Sequence, residues 1–409
     1  MESFVHEWIN LLLRWIHFIV GVAWIGASFY FNWLENNLER AAPQDEGIAG
    51  NLWAVHGGGF YHLKKFKTGP QQLPAQLHWF KWEAYATWLS GFALLAVVYY
   101  FNAALFLIAP RATIPVGLSA PQAIALGVAA VLGSWFVYDA LCRSALRRAP
   151  LLLAACVFAS LVILAWALGE VFSGRAAYIH VGAAIGTMMV GNVFFVIIPA
   201  QKEMIAALAE NRRLDPAHGE NGLLRSRHNN YLTLPVLFIM VSAHFPSTYG
   251  HAWNWAVLAV ISIAGVLARH YFNIRHCARA AVVLLPLAFL LMVALAWVTA
   301  PSSKPTAADA SVGKDQIAAI IQSRCAGCHA TRPTQPGFAA PPAGLALETH
   351  AAITANAARI FNAAAVTRSM PIGNLTGMTD AERETISAWY HALDNADDTT
   401  NGTVPQKKP

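Results

Sequence analysis

The sequence predicts an all-α fold: an eight-span transmembrane helical bundle followed by a small soluble helical domain. Three observations predict it. Of 409 residues, 56% are hydrophobic and only 12% are Asp, Glu, Lys or Arg, about half the charged share of an ordinary soluble domain. Eight apolar runs approach the roughly 20 residues that carry a helix across a bilayer. After Trp297 the composition switches to APSSKPTAADAS, a Pro/Ser/Ala linker, and then to a mixed polar and apolar pattern. The expected boundaries are 1–299 for the bundle, 300–312 for the linker, 313–395 for the soluble domain and 396–409 for a disordered tail.

The spans fall near 8–31, 84–108, 121–141, 150–171, 175–198, 230–246, 251–273 and 276–299, with Pro235 predicting a kink in the sixth. The net charge of +6 is no sign of a nucleic-acid partner, because Lys and Arg alternate between loops. The first loop holds Arg40, Lys64, Lys65, Lys67 and Lys81; the third holds Arg143, Arg147 and Arg148; the fifth holds Lys202, Arg212, Arg213, Arg225 and Arg227. The loops between carry only Arg111 and Arg175. The positive-inside rule then puts the odd-numbered loops in the cytoplasm and both termini outside, in the periplasm of a bacterial inner membrane. The leader MESFVHEW has two glutamates and no basic residue, unlike a secretory signal, so the first span is expected to be retained.

The soluble domain carries RCAGCHA at 324–330. C-x-x-C-H is the attachment signature of a c-type haem: Cys325 and Cys328 form the thioethers and His329 reaches the iron as proximal ligand. A redox dithiol needs no adjoining His, and no second cysteine pair follows to complete a zinc site. Met370 in SMPIGN, 370 − 329 = 41 residues on, is the expected sixth ligand, with Met378 the rival. Thr379 and Glu382 form a capping box that starts a helix through AERETISAWYHAL. This region resembles a class I cytochrome c, which implies crossed terminal helices and a Met-Pro distal loop. Covalent haem attachment outside the cytoplasm agrees with the charge count.

Ionisable residues inside spans are functional candidates by default. Arg14 and His17 share a face of the first span; His180 lies in the fifth and His244 in the sixth, all toward the outer side. WIHF in the first span parallels YIHV in the fifth. A b-type haem held by His17 and His180, with Arg14 on a propionate, is one reading; histidines hydrogen-bonded between helices are the other. Toward the cytoplasm lie HGGGFYH (His56, His62), LHWFKWE (His78), RSRHNNY (Arg225, Arg227, His228) and ARHYF (Arg269, His270), and Asp139 and Glu170 near span ends are further candidates with no assigned role. Arginine offers a planar fork to a planar anion, and histidine can move a proton.

Taken together, WINLLLRWIHFIVGVAWIGASFYFNWLENNLER, WAVHGGGFYHLKKF, LHWFKWEAYATWLSGF, RSRHNNYLTLPVLFIMVSAHFP and the CAGCH domain resemble the membrane-bound urate oxidase (urate hydroxylase) family. That resemblance implies oxidation of urate to 5-hydroxyisourate in purine breakdown. Electrons would pass to the fused c-type haem and on to an acceptor such as a cytochrome oxidase or a soluble cytochrome c. Expected catalytic residues are Arg227, His228, Arg269, His270 and His78. Expected cofactor residues are Cys325, Cys328, His329 and Met370 for the c-type haem, and His17, His180 and Arg14 for a b-type haem. The rival readings are a non-enzymatic relay from quinol or a partner to a terminal oxidase, and a haem-linked transporter.

Overall fold

Long apolar runs bounded by capping residues give long helices. The computed structural model describes residues 2–40, 47–67, 69–70, 72–108, 117–213, 215–300, 313–335, 338 and 340–401. Helix α1 (Glu2–Asn36) is followed by strands β1 (Glu39–Arg40), β2 (Ile48–His56) and β3 (Gly59–Phe66). Helix α2 (Trp82–Leu95) ends in a π turn at Ala96–Tyr100 and is followed by the short α3 (Ala103–Phe106). Then come α4 (Ala120–Arg143), opened by a Ser119/Gln122 capping box, and α5 (Pro150–Gly169). Helix α6 (Gly174–Gly191) runs through a π turn, Asn192–Ile197, into α7 (Ile198–Ala209). Next are α8 (Pro216–Ser242), α9 (Pro246–Tyr249), α10 (Asn254–Ile274) and α11 (Leu284–Val298). The C-terminal unit holds α12 (Lys314–Arg324), α13 (His350–Ala355), α14 (Ala357–Ile360) and α15 (Asp380–Asn401).

Among the described residues six helices are long and apolar enough to cross a membrane. The second and sixth expected spans also form helices, α2 and α8, inside the same bundle. Helix α2 packs on α1 and α6, and α8 on α6 and α10. The all-α expectation needs correcting, because residues 39–66 form a three-stranded antiparallel sheet. Its cause is local: Gly57 and Gly58 both take left-handed backbone, with φ of 56° and 79°, and close a two-residue hairpin that pairs His56 with Gly59. His56 and His62 therefore lie exposed on a hairpin, with His62 stacked at 4.2 Å on Trp53 across the strands. Arg111 and the 301–312 linker fall outside the described residues. Helix α15 continues to Asn401, past the expected boundary at 395, and the rest of the tail is outside the description.

The bundle is centred on α6, the most enclosed of the apolar helices. Between helices in lipid, small residues permit close packing where no hydrophobic drive exists. A Cβ at Gly182 would lie 2.5 Å from Ile239 of α8, and one at Gly191 would lie 2.4 Å from the Trp135 ring of α4. The C-terminal unit has a core of its own, in which Ile317, Ile320 and Ile321 of α12 meet Ile386 and Trp389 of α15. Its capping box is formed: Glu382 accepts from the Thr379 amide at 2.7 Å, and the Glu382 amide donates to Thr379 Oγ1 at 3.2 Å. Replacing Gly191 with Val must displace the Trp135 ring and is expected to cost about 1–3 kcal/mol, read as a lowered thermal midpoint of the detergent-solubilised protein.

Candidate functional site

Three groups of residues carry chemistry, one in the C-terminal unit and two in the bundle. In the first, α12 ends at Arg324 and delivers Cys325, Cys328 and His329 to one wall of a cleft whose other wall holds Met370, Pro371 and Phe338. His329 Nδ1 lies 3.0 Å from the Leu345 carbonyl, which can only accept, so Nδ1 carries the proton and Nε2 keeps its lone pair. Met378 is instead 1% exposed inside the Ile317–Trp389 core, which leaves Met370 as the thioether facing the cleft. The Met370 loop is fixed from behind by Arg383, which donates to the Met370 carbonyl at 2.9 Å and to Asn374 at 3.2 Å. Both cysteines are free, and burial, then the adjacent Cys328, pushes the Cys325 thiol up to about 12; burial also raises Cys328. Two protonated thiols, one imidazole lone pair and one thioether around an apolar cleft fit a covalent haem. Among the described residues no cluster of three His, Cys, Asp or Glu could hold a bare metal ion.

The second group comprises histidines of α1 and α6. His180 is fully buried; its Nδ1 donates to the Ala176 carbonyl at 2.8 Å and its Nε2 accepts from the Tyr100 hydroxyl at 3.1 Å. His17 Nδ1 donates to the Thr87 carbonyl at 3.1 Å, with Ser90 Oγ at the same distance. Each ring thus presents Nε2 as an acceptor, the tautomer an iron ligand needs. His17 packs against Gly91 of α2, and His180 against Gly127 of α4 and Tyr100 of the π turn that follows α2. Arg14 bonds Asn10 on the exposed face of α1, and His244 is exposed in the turn after α8.

The third group is a polar layer across the inner part of the bundle, built on α8. Arg225, His228, Asn229 and Asn230 of α8 meet Tyr138 and Asp139 of α4, Asn192 of the π turn, and Arg269 and Asn273 of α10. Arg225 pairs with Asp139 at 2.6 Å and reaches Asn192 Oδ1 at 3.3 Å. The Asn192 amide donates to Tyr138 at 2.9 Å, so the single tyrosine proton goes to His228 Nδ1, 2.8 Å away, and leaves the His228 proton on Nε2. Arg269 differs from Arg225. It is 7% exposed, donates from Nε to Asn230 at 2.9 Å, lies over the Phe29 ring at 3.9 Å, and has no carboxylate partner among the described residues. Asn273 bonds the same Asn230 oxygen, Asn32 bonds Asn273 at 2.7 Å, and the buried Asn230 amide nitrogen has no partner among the described residues. Beside them Tyr231 and His270 share a 2.7 Å hydrogen bond.

Of the expected inner residues, Arg269, His270 and His228 join this layer. Arg227 is exposed, one helical step off its neighbours' face, and His78 is exposed on the coil before α2, edge-on to Phe80. Arg225 and Asp139, singled out in the sequence without an assigned role, join the layer too; the residues missed were Asn192, Asn230, Asn273 and Phe29. The signal for some was present: 225 and 229 are four apart on α8, as are 269 and 273 on α10, so each pair shares a face.

A family model described as urate oxidase N-terminal matches residues 3–300, the whole bundle and none of the C-terminal unit. No curated protein and no solved structure matches the chain.

Arg225→Leu leaves Asp139 paired only with the exposed Arg143, at 2.6 Å, and is expected to cost about 1–3 kcal/mol. Asp139→Leu combined with Arg225→Leu should cost less than that single change, measured by denaturant unfolding in detergent. In haem-free protein, thiol alkylation at Cys325 is expected to remain slow at pH 8 to 9 and to rise only as pH approaches about 12, because only the thiolate reacts; mass mapping of the alkylated peptide follows it.

Proposed function

Because the chain belongs to the urate oxidase N-terminal family, we propose that it oxidises urate to 5-hydroxyisourate and passes the electrons to a c-type haem on its own C-terminal unit. The observation that carries this reading is Arg269: among the described residues, a buried cation without a carboxylate, backed by an aromatic face and flanked by an amide nitrogen with no partner. A buried charge is tolerated when something answers it. Urate is a planar anion rimmed with N–H and C=O groups. The Arg269 guanidinium matches its charge, the amides of Asn230 and Asn273 match its edges, and Phe29 suits its face.

The overall change is urate plus water to 5-hydroxyisourate, releasing two electrons and two protons. Arg269 would hold the anion and favour its deprotonated form. His270, hydrogen-bonded to Tyr231, and His228, hydrogen-bonded to Tyr138, are the groups able to accept protons beside it. The haem bound through Cys325, Cys328 and His329 supplies a one-electron acceptor, with Met370 favouring the reduced iron. From there electrons leave for a cytochrome oxidase or a soluble cytochrome c. His17 and His180 are candidate axial ligands of a b-type haem.

The proposed setting is a bacterial inner membrane crossed eight times, with the C-terminal unit outside. Its support is the loop charge alternation together with the contacts of that unit. Leu105, near the end of the second expected span, lines its cleft, and Gly250, after the sixth, abuts Thr367. Both positions are external by the charge count.

Anaerobic addition of urate to the oxidised, purified protein, with no quinol present, should reduce the c-type haem. Arg269→Ala should lower the rate by about 100-fold or more, whereas Arg227→Ala should leave it within about twofold. Reduction that requires quinol, or an undiminished rate in Arg269→Ala, would sink the urate reading. A reduced-minus-oxidised spectrum is expected to lose its b-type component in His180→Ala.

A further inference from the structure

The cleft holding Cys325, Cys328, His329 and Met370 is not closed by its own unit alone. Leu105, from α3 of the bundle, forms part of its lining beside Pro371, Ile372 and Leu375. Helix α3 packs against the single turn Ile372–Asn374. A second contact lies at Gly250, just after α9. A Cβ there would sit 2.4 Å from the Thr367 carbonyl oxygen, and Thr367 is itself buried. Two separate segments of the bundle therefore touch the C-terminal unit, one of them at the cleft.

What stands behind Leu105 is equally particular. The next residue, Phe106, meets Tyr99 edge-on with ring centroids 6.4 Å apart, and Tyr99 meets His180 at 6.3 Å. The Arg175 guanidinium lies over both aromatic rings, at 5.6 Å from Phe106 and 5.9 Å from Tyr99. An unbroken run of packed side chains thus joins the cleft mouth to the buried histidine of α6.

We propose that α3 is the platform on which the C-terminal unit receives electrons: Leu105 seals the haem edge from water, and Phe106 and Tyr99 link it to the His180 region. This rests on the electron-transfer reading above. The step it serves moves one electron at a time from the reduced donor in the bundle to the ferric haem, with no atom or proton crossing the interface. Leu105 and Gly250 act here as positioning residues: one fills the cleft mouth, and the other, lacking a side chain, lets the two backbones meet. An external acceptor docks on a face other than the one α3 occupies.

The test uses the full-length, haem-loaded protein in detergent and two variants, Leu105→Asp and Gly250→Ala. Each should speed amide hydrogen exchange at residues 372–376 at least tenfold and slow urate-driven haem reduction at least tenfold. The dithionite-reduced spectrum should stay unchanged, and Leu105→Met should restore both rates. Exchange at 372–376 that is as fast in the wild type as in both variants would overturn the platform. So would haem reduction at the wild-type rate in two variants whose exchange has risen. Failure of urate to reduce even the wild-type haem would count against the urate reading, while the exchange measurement would still decide the docking.

Discussion

A guanidinium buried between helices must be answered by protein atoms, because burial strips it of water. That constraint organises the bundle around α8. Arg225 obliges α4 to supply Asp139, and the π turn at Asn192 aims an amide at both the ion pair and the Tyr138–His228 bond. Helices that share such a network cannot slide past one another without stranding a donor, so the polar layer fixes their registry as well as their contact. The glycines at 182 and 191 let α6 come close enough to take part.

Against that background the two buried arginines separate cleanly. One is neutralised internally and reads as structure. The other has an aromatic face, two amides and no counter-charge, which reads as a place kept for an anion. The same sorting divides the histidines. His180 and His329 each spend Nδ1 on a carbonyl and leave Nε2 as the acceptor, which in His180 meets the Tyr100 hydroxyl, whereas His228 is held through Nδ1 by Tyr138. Tautomer, set by the neighbour of the other nitrogen, distinguishes a metal-facing imidazole from a proton-bearing one.

Where chemistry dictates spacing, the sequence was readable. The C-x-x-C-H pentad, the Met-Pro loop and the Thr379–Glu382 cap are local patterns, and they lie together in one small unit. The hairpin at 48–66 was equally local, signalled by its double glycine, but the surrounding membrane pattern drew attention to helices. Helical phase was the harder matter. Arg225 and Arg227 are two residues apart in one motif, and only the packing of α8 decides which of them faces inward. Leu105 was not legible at all, since a leucine in an apolar run gives no hint of a cleft some 220 to 265 residues further along the chain.

The separate core of the C-terminal unit has a consequence for how such a protein is assembled. Its Ile317–Trp389 packing owes nothing to the bundle, and the family match stops where the bundle does. Covalent connection keeps the two parts at a mutual local concentration on the order of millimolar. A contact that would be too feeble to hold independent molecules together then suffices, and a junction resting on one leucine and one bare glycine can turn over quickly while its two halves evolve almost independently.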